Sequence, residues 1–464
     1  MAFDIQFDPE LAQRYNATGP RYTSYPTVAE LTEDFNELDY RRLVALSNGN
    51  TLRRSLSVYV HIPFCRSLCY FCGCTKKIIN GAEQADAYLK RLHKEIQIVA
   101  SLYDHERTVE QVHWGGGTPT FLNHAQLTDL MGALKRNFNL STGGDREFSI
   151  EIDPRGMASE KIALLANLGF NRASFGIQDF DDRVQHSINR IQSVDETRRA
   201  IEDARQYGFK SLSVDLIYGL PHQTAESFSC TLDTIIDIRP DRVSVYNYAH
   251  LPDLFKHQRL ILKEDLPTPE EKFHILGMTI KRFKEAGYTH IGMDHFALPD
   301  DSLVKARRNR DLHRNFQGYS TKRNCNLVGL GLSAISKIRG HYSQNYKTLP
   351  RYYAALDANR LPIWRGLILN KDDVVRGDVI EKIMCYGRFE FPELERRHGI
   401  NFREYFSSEL QRLKSLEDDG LVSVYESSIE VLPMGRSFLR NIAMNFDSYL
   451  FNAKTKGTRF SRTV

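Results

Sequence analysis

Nowhere in the 464 residues is there a run of about 18 apolar side chains, so no segment is expected to span a bilayer. The charge is nearly balanced at +4, too little by itself to imply a nucleic-acid or membrane partner. The opening MAFDIQFDPELAQRYN lacks a basic region followed by an apolar stretch, so no signal peptide is expected. Cysteine is scarce: seven residues, an odd number, argue against a secreted disulfide framework. No coiled-coil repeat or long exposed apolar stripe is evident, which points to a monomer. These absences leave an ordinary soluble chain, 41% apolar and 26% charged, expected in the cytoplasm and long enough for two or three domains.

The cysteines that are present are unevenly placed. Cys65, Cys69, Cys72 and Cys74 crowd into HIPFCRSLCYFCGCTKK, whereas Cys230, Cys325 and Cys385 are isolated. Around them the chain alternates β-branched runs with amphipathic stretches. Strands are expected at 57–62, 109–114, 147–152, 172–177, 211–218 and 242–248. Tyr88, Leu92, Ile96 and Val99 recur at helical spacing, as do Leu127, Leu130 and Leu134. NLGF, QYGF and EAGY each precede an apolar run, and Gly169, Gly208 and Gly287 suit the left-handed residue that ends a helix. Repeated strand–helix units of this kind predict an α/β fold, a barrel or part-barrel. The strand ends read HIPFC, HWGGGTPT, EIDPR, GIQDF, LIYGLP and NYAHLP, and in such folds chemistry gathers at that rim.

The expected division is an N-terminal extension at 1–47 covering the substrate, a catalytic barrel at 48–345 and a mainly helical C-terminal domain at 346–464. The extension contains ATGPRYTSYPT, too rich in Pro, Gly and Tyr for regular structure. In the C-terminal part, helices at 371–387 and 402–419, a hairpin in DGLVSVYESSIEVLP and a helix at 434–450 resemble a winged-helix arrangement. The acidic balance of 402–419 makes it a poor partner for phosphate, so packing or a lid is expected rather than nucleic-acid binding. The basic KTKGTRFSR reads as a solvated tail.

Three readings compete for the clustered thiols. A disulfide is disfavoured by the compartment. Structural zinc usually takes two Cys pairs separated by a loop, and no second CxxC exists. An iron–sulfur cluster needs thiolates close together, and the CxxxCxxC of Cys65, Cys69 and Cys72 supplies three. Three ligands leave one iron open to substrate. Cys74, two residues past Cys72, would be strained as a fourth.

CxxxCxxC with Phe71 before its last cysteine resembles the signature of radical S-adenosylmethionine enzymes. GPRYTSYPT, YVHIPFC, CYFCGC, HWGGGTPT, IDPR, DLIYGLP, NYAHLP, IGMDHFA and LHRNFQGY are similar to segments of the oxygen-independent coproporphyrinogen III oxidase family, from about residue 15 onward. The resemblance implies a partial (β/α)6 TIM-like barrel. It also implies a [4Fe-4S] cluster on Cys65, Cys69 and Cys72 whose fourth iron takes S-adenosylmethionine, and a second S-adenosylmethionine. The implied reaction decarboxylates two propionates of coproporphyrinogen III to vinyl groups, giving protoporphyrinogen IX through a 5′-deoxyadenosyl radical. An electron donor such as flavodoxin or ferredoxin is expected.

Residue by residue, the resemblance names Gly116, Gly117 and Thr118 as S-adenosylmethionine contacts and assigns Tyr59, Glu151 and Ile335 to the first molecule. Phe71, Gln178, Arg190, Asp215 and Ala249 go to the second, with Gly117 and Thr118. Glycines at 116 and 117 would let backbone approach a ligand and bare N–H groups to its carboxylate. Cys74 and His61 are candidate catalytic side chains. Cys74 is expected not to be a ligand, and is either a hydrogen donor or a packing residue. His61 either hydrogen-bonds the cluster or is a buried structural histidine. Arg21, with His313 and Arg314 behind it, is the candidate for the substrate carboxylates, which suit two-pronged guanidinium donors. Two alternatives stand: a haem chaperone, disfavoured by the presence of CGC and GPRYTSYPT, and a radical methyltransferase, which would yield S-adenosylhomocysteine and no carbon dioxide.

Overall fold

The computed structural model of the chain describes residues 5–49, 53–450 and 460–463. Strands form where the β-branched runs predict them: β1 (Leu56–Ile62), β2 (Thr108–Gly116), β3 (Glu147–Ile152), β4 (Arg172–Gln178), β5 (Ser211–Tyr218) and β6 (Arg242–Asn247). Between them lie α1 (Ala82–Ala100), α2 (His124–Asn137), α3 (Ser159–Leu168), α4 (Val194–Gln206) and α5 (Ala225–Ile238), followed by α6 (Pro269–Glu285). Local chemistry sets these helix ends. The Asn123 side chain accepts the Gln126 N–H in a reciprocal capping box at the start of α2. Gly169, Gly208 and Gly287 take φ of 109°, 86° and 85° just past α3, α4 and α6, a backbone that side chains with a Cβ resist.

Six parallel strands lie in the order β6-β5-β4-β3-β2-β1. Beyond β6 come the short antiparallel β8 (His295–Ala297) and β7 (Thr289–Gly292). Beyond β1 the sheet continues through β11 (Asn326–Leu330), β12 (Ile335–Ile338), β13 (His341–Asn345) and β14 (Ile363–Ile368). The sheet has two ends and does not close by hydrogen bonds, in agreement with a partial barrel. It nonetheless curls, because Tyr246 on β6 and Ile335 on β12 line one cavity. Between its halves sits a hairpin, β9 (His313–Asn315) and β10 (Gly318–Ser320), whose Ser320 hydroxyl accepts a hydrogen bond from the Gln111 amide at 3.2 Å.

Alternation along the strands separates packing from chemistry. Val58, Val60 and Ile62 of β1 are fully buried with Tyr88, Leu92 and Ile96 of α1, each such aliphatic side chain contributing roughly 1.5–3 kcal/mol. The intervening Tyr59 and His61 turn to the inner cavity.

A second apolar cluster gathers Val375, Val379 and Ile383 of α7 (Lys371–Tyr386) with Phe391, Phe402, Phe406 and Phe446, and with Tyr22 and Tyr25 of the N-terminal segment. Here the pattern reading needs correction. In place of one helix at 434–450 there is a tight 3-10 turn, Met434–Phe438, and a short helix, Leu439–Met444. The chain then leaves helical geometry where the buried Asp447 carboxylate accepts the Tyr22 hydroxyl at 2.9 Å. Arg388–Glu390 adds a third strand to the expected hairpin of Val422–Val424 and Ser428–Val431. Most of the basic tail, 454–459, lies outside the described residues. Its far end is docked rather than solvated. Arg440, 5% exposed, donates to the carbonyls of Pro20 (2.9 Å) and Arg462 (2.5 Å), clasping the two chain ends together. The ATGPRYTSYPT segment has no helix, as its composition predicts. No helix of the described residues is long and apolar enough to cross a membrane.

Candidate active site

The loop after β1 carries the clustered cysteines to the C-terminal end of the sheet, where they line a cavity of about 630 Å3. All seven cysteines are free thiols. Cys69, 8% exposed, faces two guanidinium groups: Arg190 Nη1 at 3.6 Å and Arg155 Nη2 at 3.9 Å from its sulfur. Asp153 bridges those arginines, at 2.6 Å from Arg155 and 3.2 Å from Arg190. Thr118 Oγ1 lies 3.5 Å from the Cys65 sulfur, and burial pushes that thiol up to about 11. Cys74 donates to Cys72 and, with the Lys76 ammonium, draws the Cys72 thiol below its ordinary value against the cost of burial.

The glycines after β2 press against this loop. A Cβ on Gly117 would stand 2.8 Å from the Phe64 carbonyl oxygen and 3.0 Å from the Cys65 sulfur, so only glycine fits without a shift. The Gly116 N–H donates to Glu151 Oε2 at 3.0 Å, and His113 Nε2 lies 3.2 Å from Oε1. Burial opposes the Glu151 charge, but the His113 and Gly116 hydrogen bonds prevail and hold this carboxyl below its usual range. Asp215, across the sheet, is pushed up to about 6 by burial, although Ser174 donates to it at 3.0 Å.

Two adjoining spaces result. The cysteine cavity is lined by Phe71, Gly117, Thr118, Gln178, Arg190 and Asp215. A chamber of about 590 Å3 is lined by Tyr59, Ile335, Arg21, Arg314 and Lys347. Gly116, Glu151, Cys74 and Tyr246 border both. The residues assigned by sequence to a first and a second S-adenosylmethionine thus fall largely into separate, touching cavities. Ala249 is the exception: it follows β6 and lines neither.

His61 is fully occupied. The Tyr59 hydroxyl lies 3.0 Å from Nδ1, and Nε2 lies 2.9 Å from the Thr75 carbonyl oxygen. With Nε2 donating and Nδ1 accepting, neither nitrogen is left for a cluster sulfur. The structural reading of this histidine is the one its geometry favours. Arg21 forms an ion pair with Asp294 and lies over the Tyr246 ring, 5.4 Å from its centre. Arg314 Nε donates to the Arg21 carbonyl at 3.4 Å, so these two arginines meet at the chamber. His313 is turned away into a different cavity. The sequence reading missed Arg155, although IDPR had been noticed. It also missed Lys347, which lies in no motif and reaches the chamber only through the fold.

The Radical SAM superfamily profile matches residues 59–235. The oxygen-independent coproporphyrinogen III oxidase of Salmonella typhimurium is 48% identical over 460 residues, covering 99% of each chain. The Escherichia coli enzyme of that name is 47% identical over the same span. The chain belongs to the oxygen-independent coproporphyrinogen III oxidase family. A solved structure of the E. coli protein, described as a radical SAM enzyme, superposes with a TM-score of 0.91 at 46% identity, covering 96% of this chain and all of that one. Family membership carries with it a [4Fe-4S] cluster and S-adenosylmethionine. The donor set fits that cluster: a thiol trio in one short loop, two cationic donors on the Cys69 sulfur, and a glycine backbone pressed against the loop.

Proposed function

We propose that this chain converts coproporphyrinogen III to protoporphyrinogen IX by oxidative decarboxylation of two propionate side chains. The observation that carries this is near-full-length identity to enzymes bearing that name, together with the thiol trio beside a chamber bordered by arginines. Cys65, Cys69 and Cys72 hold the cluster. Tyr59, Gly116, Glu151 and Ile335 border the first S-adenosylmethionine, and Phe71, Gly117, Thr118, Gln178, Arg190 and Asp215 the second. When bound, these groups supply the one-electron chemistry that begins the reaction.

The side chains of the protein do the rest by position and charge. Arg155 and Arg190 set two positive charges against the Cys69 sulfur. Glu151, kept ionised by His113 and Gly116, is an acceptor for an ammonium group. Arg21 and Arg314 meet substrate carboxylates, and the clasp of Arg440 on both chain ends holds Arg21 over the chamber. The division at 1–47, 48–345 and 346–464 belongs to the same proposal; the apolar cluster around α7 supports a distinct C-terminal unit, which Tyr22 and Tyr25 of the N-terminal segment join, while Ile363–Ile368 still extends the barrel sheet. So do a monomeric state, a flavodoxin or ferredoxin as electron donor, and a cytoplasmic setting, the last supported by seven free thiols.

The test is anaerobic incubation of the reconstituted protein with reductant, S-adenosylmethionine and coproporphyrinogen III, followed by mass spectrometry. Loss of two carboxyl groups with deoxyadenosine formed alongside is expected. An unchanged tetrapyrrole with tight haem binding would transfer the case to a chaperone.

A further inference from the structure

His313 opens onto a cavity of about 310 Å3 at the seam between the sheet and α7, separate from the four clustered cysteines. Its lining is rich in cations, and they divide by partner. Lys322 is paired with Glu110, Arg323 with Glu381, and Arg397 with Asp378. Lys337, Arg54 and Arg339 have no carboxylate within ion-pair distance among the described residues. The Lys337 ammonium instead lies over the Tyr342 ring, 5.7 Å from its centre. Two buried polar atoms at this wall also lack partners: Nδ1 of His313, a residue 8% exposed, and Nη1 of Arg314, 5% exposed. A buried donor left unsatisfied is costly, and here two stand in a wall with the Lys337 ammonium, which is attended by the Tyr342 hydroxyl and the Glu381 charge.

The seam cavity and the chamber share a wall. Arg314 and Leu327 border both. On β12 and β13 the register pairs Ile335 with Gln344, which line the chamber, and Lys337 with Tyr342, which line the seam. Two residues on one strand face are about 7 Å apart, so Lys337 is one step from the chamber along the same surface. The chamber alone is short of cations for a substrate with four carboxylates. It offers Arg21, already engaged by Asp294, with Arg314 and Lys347.

We propose that the seam cavity is a second carboxylate site, where Lys337, His313 and Arg314 take a propionate arm of the tetrapyrrole whose ring occupies the chamber. This rests on the function proposed above and adds to it the direction in which one arm of the substrate points.

The test compares two air-stable porphyrins on the reconstituted holoenzyme by fluorescence titration: coproporphyrin III, with four propionates, and a porphyrin with only two. Lys337→Met should weaken the four-propionate ligand about tenfold, the size of one charge-assisted hydrogen bond, and leave the two-propionate ligand within about twofold. Arg339→Gln, at an exposed residue whose guanidinium also donates to the Leu46 carbonyl at 3.3 Å, should show the same selectivity more weakly. Equal losses for both porphyrins, or no loss for either, would overturn the site. Failure of the wild type to bind the tetracarboxylate would overturn it too. Failure of the wild type to decarboxylate coproporphyrinogen III, with selective binding retained, would sink the assigned reaction alone.

Discussion

The cysteine cavity and the seam cavity both border the reaction chamber, yet they are assembled in different ways. The first is made from the ends of successive strands and one short loop, so its parts follow each other through the sequence in the order of the βα units. The second joins Arg54, His313, Lys337 and Asp378, segments brought together only when the hairpin β9–β10 and α7 pack against the far edge of the sheet. A site built by local topology advertises itself in motifs. A site built at a seam does not.

The largest expected effect tests the first cavity. Cys69→Ser should abolish cluster assembly, read as iron content and the visible absorption band, whereas Cys74→Ser should retain it. Equal iron loss in the two would remove the distinction between ligand and neighbour. Gly117→Ala comes next. Its added methyl would stand 3.0 Å from the Cys65 sulfur, so iron incorporation should fall several-fold while the fold, followed by circular dichroism, persists.

Arg21→Ala moves to the chamber side of the comparison. It should raise KM for coproporphyrinogen about tenfold, one charge-assisted contact, without altering iron content. Unchanged kinetics would take Arg21 out of the site.

The last test is electrostatic and is read in stability rather than turnover. Burial raises the Asp215 carboxyl to about 6, so the folded state binds its proton more tightly than the unfolded chain does. Its ionisation therefore costs stability as pH rises from about 4 to 6, a loss of roughly 2–3 kcal/mol that persists above. Asp215→Asn should be more stable than the parent at pH 7.5 and no more stable near pH 4. Parallel Tm profiles would contradict that burial.

Much of the mouth of the sheet was legible beforehand because strand periodicity, left-handed glycines and cysteine spacing are short-range signals. Tyr59 and His61 face inward because β1 alternates, and the same alternation sends Val58 and Val60 to the core. His61 shows the limit. Its type and position suited a cluster contact, but Thr75 and Tyr59 occupy both its nitrogens, and nothing in the sequence says so. His313 and Arg314 are adjacent on β9, and only Arg314 borders the chamber as well as the seam cavity, a division that nothing in the sequence signals.

By itself, then, the sequence determined the βα order, the thiol trio and the glycine approach to it, since these depend on neighbours within a few residues. The tertiary structure alone decided that Arg155 and Arg190 would face Cys69 and that Arg440 would clasp both chain ends. It also decided that Lys337 would lie one strand step from the chamber. Those arrangements depend on how a curled sheet, a hairpin and a C-terminal helix pack together, and pairwise distances across such packing leave no periodic trace in the chain.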